Sequence, residues 1–157
     1  MILSAVPVQA QTAEQSPQGS DFFIAPLTEI IGYGRKAPAV GGGFALGAGD
    51  GVAIGFRLFY AFAFGAESVN TLELALFMRF YPFGPKADTG LFVQANIGAV
   101  MYARENAVSF PAQAGSISAG LAAGWRFPFG NRWYIEPAVR TGYPYIFGAG
   151  VSAGFRP

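Results

Sequence analysis

The sequence predicts an all-β fold, an eight-stranded antiparallel up-and-down β-barrel that crosses a membrane. Apolar residues alternate with small or polar ones in segments of about ten residues, the length of a tilted membrane-crossing strand. Only 12% of the 157 residues are Asp, Glu, Lys or Arg, roughly half the share found in soluble domains. Aromatic residues, 16% of the chain, concentrate near the ends of the alternating segments.

The clearest alternation lies in residues 71 to 82, TLELALFMRFYP. On a strand, Glu73 and Arg79 share one face, while the even positions from Leu72 to Phe80 are all apolar. A helix would rotate about 600° between the two charged residues and would have no continuous apolar stripe. The period of two therefore predicts a strand.

Seven further strands follow from the same reasoning. Alternation is clear in residues 54 to 62, 91 to 101, 115 to 126, 133 to 141 and 147 to 156, and weaker in 22 to 33 and 39 to 48. Pro26 weakens the first of these, because proline cannot donate to a sheet ladder. Asp-Gly, Pro-Phe-Gly and Gly-Asn turns near 49 to 51, 82 to 89 and 128 to 131 alternate with looser links. Short turns at one end and looser loops at the other are typical of a transmembrane meander.

The second face of each strand distinguishes a membrane barrel from a soluble one. A face in contact with water would be rich in Lys, Glu and Asp, but here it is mostly Gly, Ala and Ser with isolated charges. Such a face suits a narrow interior, and the apolar face then meets lipid. We expect Leu74 and Leu76 to face hydrocarbon. In the alternative, a soluble eight-stranded barrel that binds an apolar ligand, they would point inward.

Charges inside a barrel require partners, because an unpaired buried ion is very costly. We expect Glu29, Glu73 and Glu136 to be shared among inward-facing arginines. The arginines are Arg57, Arg79, Arg126, Arg140 and Arg156. The motif Arg-Phe-Tyr-Pro-Phe-Gly at 79 to 84 recurs as Arg-Phe-Pro-Phe-Gly at 126 to 130, which places Arg79, Arg126 and Arg156 at one rim. Glu136 is expected diagonally across the turn from Arg126. The network is predicted to be structural; the alternative is a charge-lined pore.

Aromatic residues are expected to form two girdles at the lipid–water boundaries. Around the short turns they are Phe80, Phe83, Trp125, Phe127, Phe129 and Trp133. At the opposite strand ends they are Tyr60, Phe62, Phe64, Tyr102, Tyr143 and Tyr145. Aromatic residues that filled a soluble core would not collect so consistently at strand ends.

The composition argues against catalysis and against bound cofactors. With neither His nor Cys, the chain lacks the usual general base of hydrolytic triads and the usual soft metal ligands. Its nine Asp and Glu residues are scattered. We therefore predict no catalytic residue, no metal site and no cofactor. The net charge of +1 gives no indication of a nucleic-acid partner.

Two segments outside the alternating strands carry separate expectations. Residues 1 to 20 are interpreted as a truncated export signal and leader, with a small-residue cleavage site ending at Ala10; the alternative is a disordered leader. Residues 21 to 157 then form the barrel domain. In the loop at 103 to 114, Arg104, Glu105 and Asn106 are the candidates for contacts outside the cell, unless the loop is merely solvated.

The eight alternating segments, the Trp125 to Gly130 and Trp133 to Glu136 pair around a tight turn, and the closing strand resemble a known class. They are similar to small bacterial outer-membrane β-barrels of the opacity-protein and outer-membrane-protein-A type, over residues 22 to 156. The resemblance implies an exported, monomeric barrel that contacts outer-membrane lipids and, during biogenesis, the barrel-assembly machinery. A structural or surface-interaction role is expected, and a narrow channel for small solutes is the alternative.

The end of the chain departs from that class. Such barrels usually end on an aromatic residue that the assembly machinery reads, whereas this chain ends Arg156-Pro157. We expect either that Phe155 serves in this role or that a few residues are missing.

Overall fold

The computed structural model describes residues 22–32, 38–64, 69–83, 90–104 and 114–155, and these form one closed antiparallel barrel. The strands are β1 (Phe22–Gly32), β2 (Ala39–Asp50), β3 (Val52–Ala63), β4 (Val69–Phe80), β5 (Gly90–Arg104), β6 (Ala114–Phe129), β7 (Trp133–Tyr143) and β8 (Phe147–Phe155). Each strand pairs with its neighbours in sequence, and β8 closes the barrel on β1. The eight-stranded up-and-down fold is therefore confirmed. Across these ranges, no helix is both long and apolar enough to cross a membrane.

Three prolines lie within strands, Pro26 in β1, Pro128 in β6 and Pro137 in β7. β1 continues through Pro26, which pairs with Phe44 of β2, although the ladder between β1 and β8 skips this position. The ladder between β6 and β7 likewise skips Pro137, which pairs with Val151 of β8. In both cases the neighbour on the other side retains its register, so the barrel stays closed although a proline cannot donate to a ladder.

The outer surface of the barrel is apolar on every strand. Large side chains are exposed at alternate positions, for example Ile54, Ile97, Ile117 and Val139. Leu74 and Leu76 are 51% and 63% exposed. Both point away from the lumen, as expected for contact with lipid. The soluble-barrel alternative is wrong, because it required the apolar face to line the interior.

The interior holds two groups of buried apolar residues at different heights. The turn-end cluster, near the short turns, comprises Phe23, Ala25, Ala45, Ala53, Phe77, Tyr81, Phe92 and Tyr134. The loop-end cluster, near the longer connections, comprises Ile31, Ala39, Phe59, Ala61 and Tyr145. The second face of the strands is therefore less uniformly small than its Gly, Ala and Ser content indicated, because several aromatic rings also point inward.

Most of the predicted girdle residues do lie on the outside at strand ends. Trp125, Phe129 and Trp133 are exposed around one turn, and Phe62 and Tyr143 are exposed at the other end. Tyr145 is an exception.

The prediction for Tyr145 is wrong, because this residue is only 1% exposed and points into the lumen. It lies in the short link between β7 and β8, where strand alternation does not apply. Its neighbour Ile146 takes the outward position instead.

Glycines on the inner face leave space for bulky side chains from adjacent strands. On β8, a Cβ at Gly148 would lie 2.9 Å from Arg140 Cγ, and one at Gly154 would overlap the ring of Tyr134. On β6, a Cβ at Gly120 would come within 2.7 Å of the Tyr145 hydroxyl. The small residues of one strand therefore complement the large residues of the next.

The orientation of the apolar face predicts the cost of placing a charge on it. Replacing Leu76 by Arg at mid-strand should destabilise the barrel by about 2–4 kcal/mol, because the guanidinium would lie in hydrocarbon. Replacing Phe83 by Arg should destabilise the barrel by at most about 1 kcal/mol. Phe83 lies in the turn after β4, near the lipid–water interface. Denaturant unfolding from lipid vesicles measures both values. Equal costs for the two substitutions would contradict the proposed depth of Leu76.

Candidate functional site in the barrel interior

The turn-end charge network is centred on Glu136 of β7. Arg79 Nη1 donates to both carboxylate oxygens of Glu136 at 2.9 Å, and Arg126 Nε donates to Oε1 at 2.6 Å. The hydroxyl of Ser152 donates to Oε2 at 3.3 Å. Because Glu136 is only 1% exposed, its charge is balanced inside the protein and not by solvent.

The position of Glu136 follows from the register of β6 and β7. Gly124 pairs with Ala138, and Phe127 pairs with Ile135, so Arg126 lies directly opposite Glu136. The expectation that Glu136 lies diagonally across the turn is therefore corrected to a direct cross-strand position. Facing positions give two long side chains the shortest reach to each other.

Polar residues of β5 extend the turn-end network. Arg79 is directly opposite Gln94 in the pairing of β4 with β5. Its Nε donates to Gln94 Oε1 at 2.8 Å, and its Nη1 lies 3.4 Å from the hydroxyl of Tyr81. Gln94 Nε2 in turn donates to Asn96 Oδ1 at 2.6 Å. A single arginine thus links two strands of the wall to a carboxylate on a third.

The loop-end charge network is centred on Arg140 of β7. Arg140 Nε lies 2.7 Å from Glu29 Oε2, and Arg140 Nη1 donates to both oxygens of Glu73 at 2.8 and 3.1 Å. Glu29 also pairs with Arg57, with Nη1 and Oε1 separated by 2.7 Å. The four side chains form a chain of alternating charge from β3 through β1 and β7 to β4.

Two of these ion pairs join opposite parts of the barrel wall. β4 and β7 are separated by two strands on one side and by four on the other. The strands are antiparallel in sense, so Glu73 meets Arg140 at one height while Arg79 meets Glu136 at the other. The two charged residues of β4, Glu73 and Arg79, are six residues apart on one face, and each forms an ion pair that crosses the lumen.

Each of the four guanidinium groups also lies over an aromatic ring. Arg126 and Arg140 have Cζ 3.9 Å from the ring centroids of Tyr134 and Tyr145. Arg79 lies 4.1 Å from the centroid of Phe92, and Arg57 lies 4.8 Å from that of Phe59. Contacts of this kind contribute about 2 kcal/mol or more each when desolvated. The aromatic rings therefore act as a second set of partners for the cations.

These aromatic partners were missed in the sequence, although a signal was present. Phe59 and Phe77 each lie two residues from an arginine, and Tyr134 lies two residues before Glu136. Positions two apart on a strand share a face. Tyr145 gave no such signal, because it lies in a link. Burial raises the pKa of the Tyr145 phenol, which keeps it neutral beside Arg140.

The remaining candidate residues are outside the described parts of the chain. Arg156, Glu105 and Asn106 fall among residues whose positions are not described, as does the leader at 1 to 20. Arg104 ends β5, but its side chain is not described. Among the described residues, no three His, Cys, Asp or Glu side chains are grouped so that they could hold a metal ion.

Several solved structures share this fold. Neisserial surface protein A has a TM-score of 0.70 at 11% identity, covering 88% of this chain and 98% of that one. Ail of Yersinia pestis gives 0.58 at 9% identity, with coverage of 88% and 100%. The N-terminal β-barrel domain of Pseudomonas aeruginosa OprF gives 0.52 at 18% identity, with coverage of 87% and 97%.

These similarities show the fold. The chain has the architecture of small eight-stranded outer-membrane β-barrels, which is the class that the sequence resembled. No family model and no curated protein sequence matches the chain.

The two networks predict different costs for removing a carboxylate. Replacing Glu136 by Gln should destabilise the barrel by about 3–5 kcal/mol, because two buried arginines then lose their anionic partner. Replacing Glu73 by Gln should cost less, because Arg140 retains its ion pair with Glu29. Denaturant unfolding from vesicles, followed by tryptophan fluorescence, measures the difference. A larger loss for Glu73 than for Glu136 would contradict the central position of Glu136.

Proposed function

We propose that the protein is an integral β-barrel of the bacterial outer membrane with a structural or surface-interaction role. The observation that carries the proposal is the separation of chemistry between the two faces of the sheet. Large apolar side chains are exposed on the outside of all eight strands, while the buried polar set includes four arginines and three glutamates. Soluble monomers rarely expose so extensive an apolar surface, and lipid is the environment in which it is stable.

The closure of the sheet supports a monomer. Every strand pairs on both sides, so the barrel presents no free edge for another chain. The partners that this surface fits are outer-membrane lipids. In this proposal the chain reaches the outer membrane through a secretory signal and is inserted by the barrel-assembly machinery.

The filling of the lumen argues for a closed barrel over the alternative of a narrow channel. Ion pairs cross the interior at two heights, and aromatic rings occupy both ends of it. A cavity of about 40 Å³ lies between the two networks. Conduction needs a continuous water-filled path, and eight-stranded barrels are generally filled by their own side chains. No described feature favours the channel.

A surface-interaction role is supported by the uneven height of the wall. The last pairing of β6 with β7 joins Ala119 to Tyr143. β6 begins five residues earlier in the chain, at Ala114. These five residues pair with β5, and β5 stays paired with β4 as far as Arg104 and Val69, so strands β4 to β6 extend beyond the last pairing of β6 with β7. Arg104 ends β5, and we propose that it and the next two residues of the sequence, Glu105 and Asn106, contact a partner outside the cell.

Membrane location is tested by expressing the full chain in a Gram-negative host. The protein should be in the outer-membrane fraction and should migrate differently on a gel before and after heating, because a closed barrel resists denaturation by detergent. The Leu76→Arg variant is the matched control. A smaller fraction of it should migrate as the folded form before heating, because a charge on the lipid-facing surface destabilises the barrel. A product that is freely soluble without detergent would overturn the proposal.

The closed lumen is tested in planar lipid bilayers. The purified barrel should give no stable conductance. A variant with both Arg140→Ala and Tyr145→Ala, which removes two large loop-end side chains, should conduct more and thereby shows that the assay is sensitive. Steady conductance from the unaltered barrel would contradict the closed lumen and leave membrane location untouched.

A further inference from the structure

The cavity between the two charge networks is lined by ionised side chains. Its volume is about 40 Å³, which has room for more than one water, since each needs about 10–15 Å³ of such space. The charged and amide residues in its lining are Arg57, Arg79, Arg140, Glu29, Glu136 and Gln94. Because this lining includes residues of both networks, the cavity is close to the charges of both.

The charges of the described interior do not balance, since its four buried arginines exceed its three buried glutamates by one. In the loop-end network, Arg57 and Arg140 are matched by Glu29 and Glu73. The excess positive charge therefore lies in the turn-end network, where Arg79 and Arg126 share Glu136, and Arg79 lines the cavity. An excess charge in a medium of low dielectric constant is costly, and the cost falls when a counter-charge lies close by.

Several hydrogen-bond donors at the cavity have no acceptor. Arg57 Nε and Nη2 and Arg140 Nη2 are buried without a hydrogen-bond partner. These two residues are 5% and 4% exposed. A buried donor without a partner costs about 1–3 kcal/mol. The carboxylates nearby are already engaged in the ion pairs described above. The hydroxyl of Tyr145 lies beside Arg140 and can accept from it, so the missing acceptor is the one for Arg57.

We propose that the cavity binds one small monovalent anion of the halide class. A halide is only slightly larger than a water molecule, accepts several hydrogen bonds at once and carries the single negative charge that the interior lacks. Water could satisfy the donors of Arg57 and Arg140 but would leave the excess charge. A divalent oxyanion would over-compensate that charge and is larger. The inference depends on the barrel interior and not on the cellular location or surface role proposed above.

Binding to the folded barrel alone raises stability with ligand concentration, so halide should stabilise this barrel. Purified protein in vesicles is unfolded with denaturant in sodium chloride, sodium bromide or sodium gluconate at constant ionic strength. The unfolding midpoint should rise with chloride and with bromide but not with gluconate, which is too large for the cavity. Equal midpoints in chloride and gluconate would overturn the proposal.

Bromide also reports the position of the site directly. Crystals grown in sodium bromide should show an anomalous scattering peak between Arg57, Arg79 and Arg140. Density for water alone in the cavity, with no anomalous peak, would overturn the proposal whatever the result of the unfolding experiment.

A charge-balancing variant separates specific binding from a general salt effect. Gln94→Glu places a carboxylate of nearly the same shape beside Arg79 and neutralises the interior. Its unfolding midpoint should no longer depend on halide, and its bromide peak should be absent. The control is Asn131→Asp, which adds the same charge in the exposed β6–β7 turn and should retain the full halide response. An unchanged halide response in Gln94→Glu would refute the charge-balance argument.

Discussion

The pairing of charges across the lumen is the interaction on which the rest of the structure depends. In a closed sheet whose outer face is apolar, charged side chains have to turn inward, and inside they have no bulk water to stabilise them. Glu136 and Arg140 meet this constraint from β7, each reaching a β4 residue on a distant part of the wall. These contacts fix the two sides of the barrel relative to each other. They also occupy the space through which a solute would pass.

The size distribution of the inner face follows from the same constraint. An arginine that crosses the lumen needs an unobstructed path, a carboxylate at its end and an aromatic ring along its side. The inner face of β8 carries Gly148, Gly150, Ser152 and Gly154, and it faces the large inward side chains of β7 and β1. Large residues on all the strands would not fit within an eight-stranded wall, and small residues on all of them would leave the charges unsupported. The small inner face of β8, placed between the large side chains of β7 and β1, resolves this conflict.

Much of the fold could be predicted from the sequence because a period of two is a local property. Glu73 and Arg79 indicated the inward face of β4 without knowledge of any other strand, and the four described arginines do point inward as a result. Which arginine meets which carboxylate could not be predicted. That choice depends on the stagger of all eight ladders, and each ladder contributes to it. The direct opposition of Arg126 and Glu136 is a case in which one register shift would change the partner. The inward position of Tyr145 was missed because this residue lies in a link between two strands, where side chains do not follow a period of two.

The lipid-facing surface has a consequence for how such a chain can vary. Hydrocarbon makes no directional contacts, so an outward position such as Ile97 or Ile117 requires only an apolar side chain, and many residues satisfy it. The inward charges are constrained in pairs, because a change at Glu136 leaves Arg79 and Arg126 without a counter-ion. Roughly half of the strand positions are thus free to drift in identity while the backbone stays in place. An identity of 11% over 88% of this chain, at a TM-score of 0.70, shows that the same barrel shape is compatible with very different side chains.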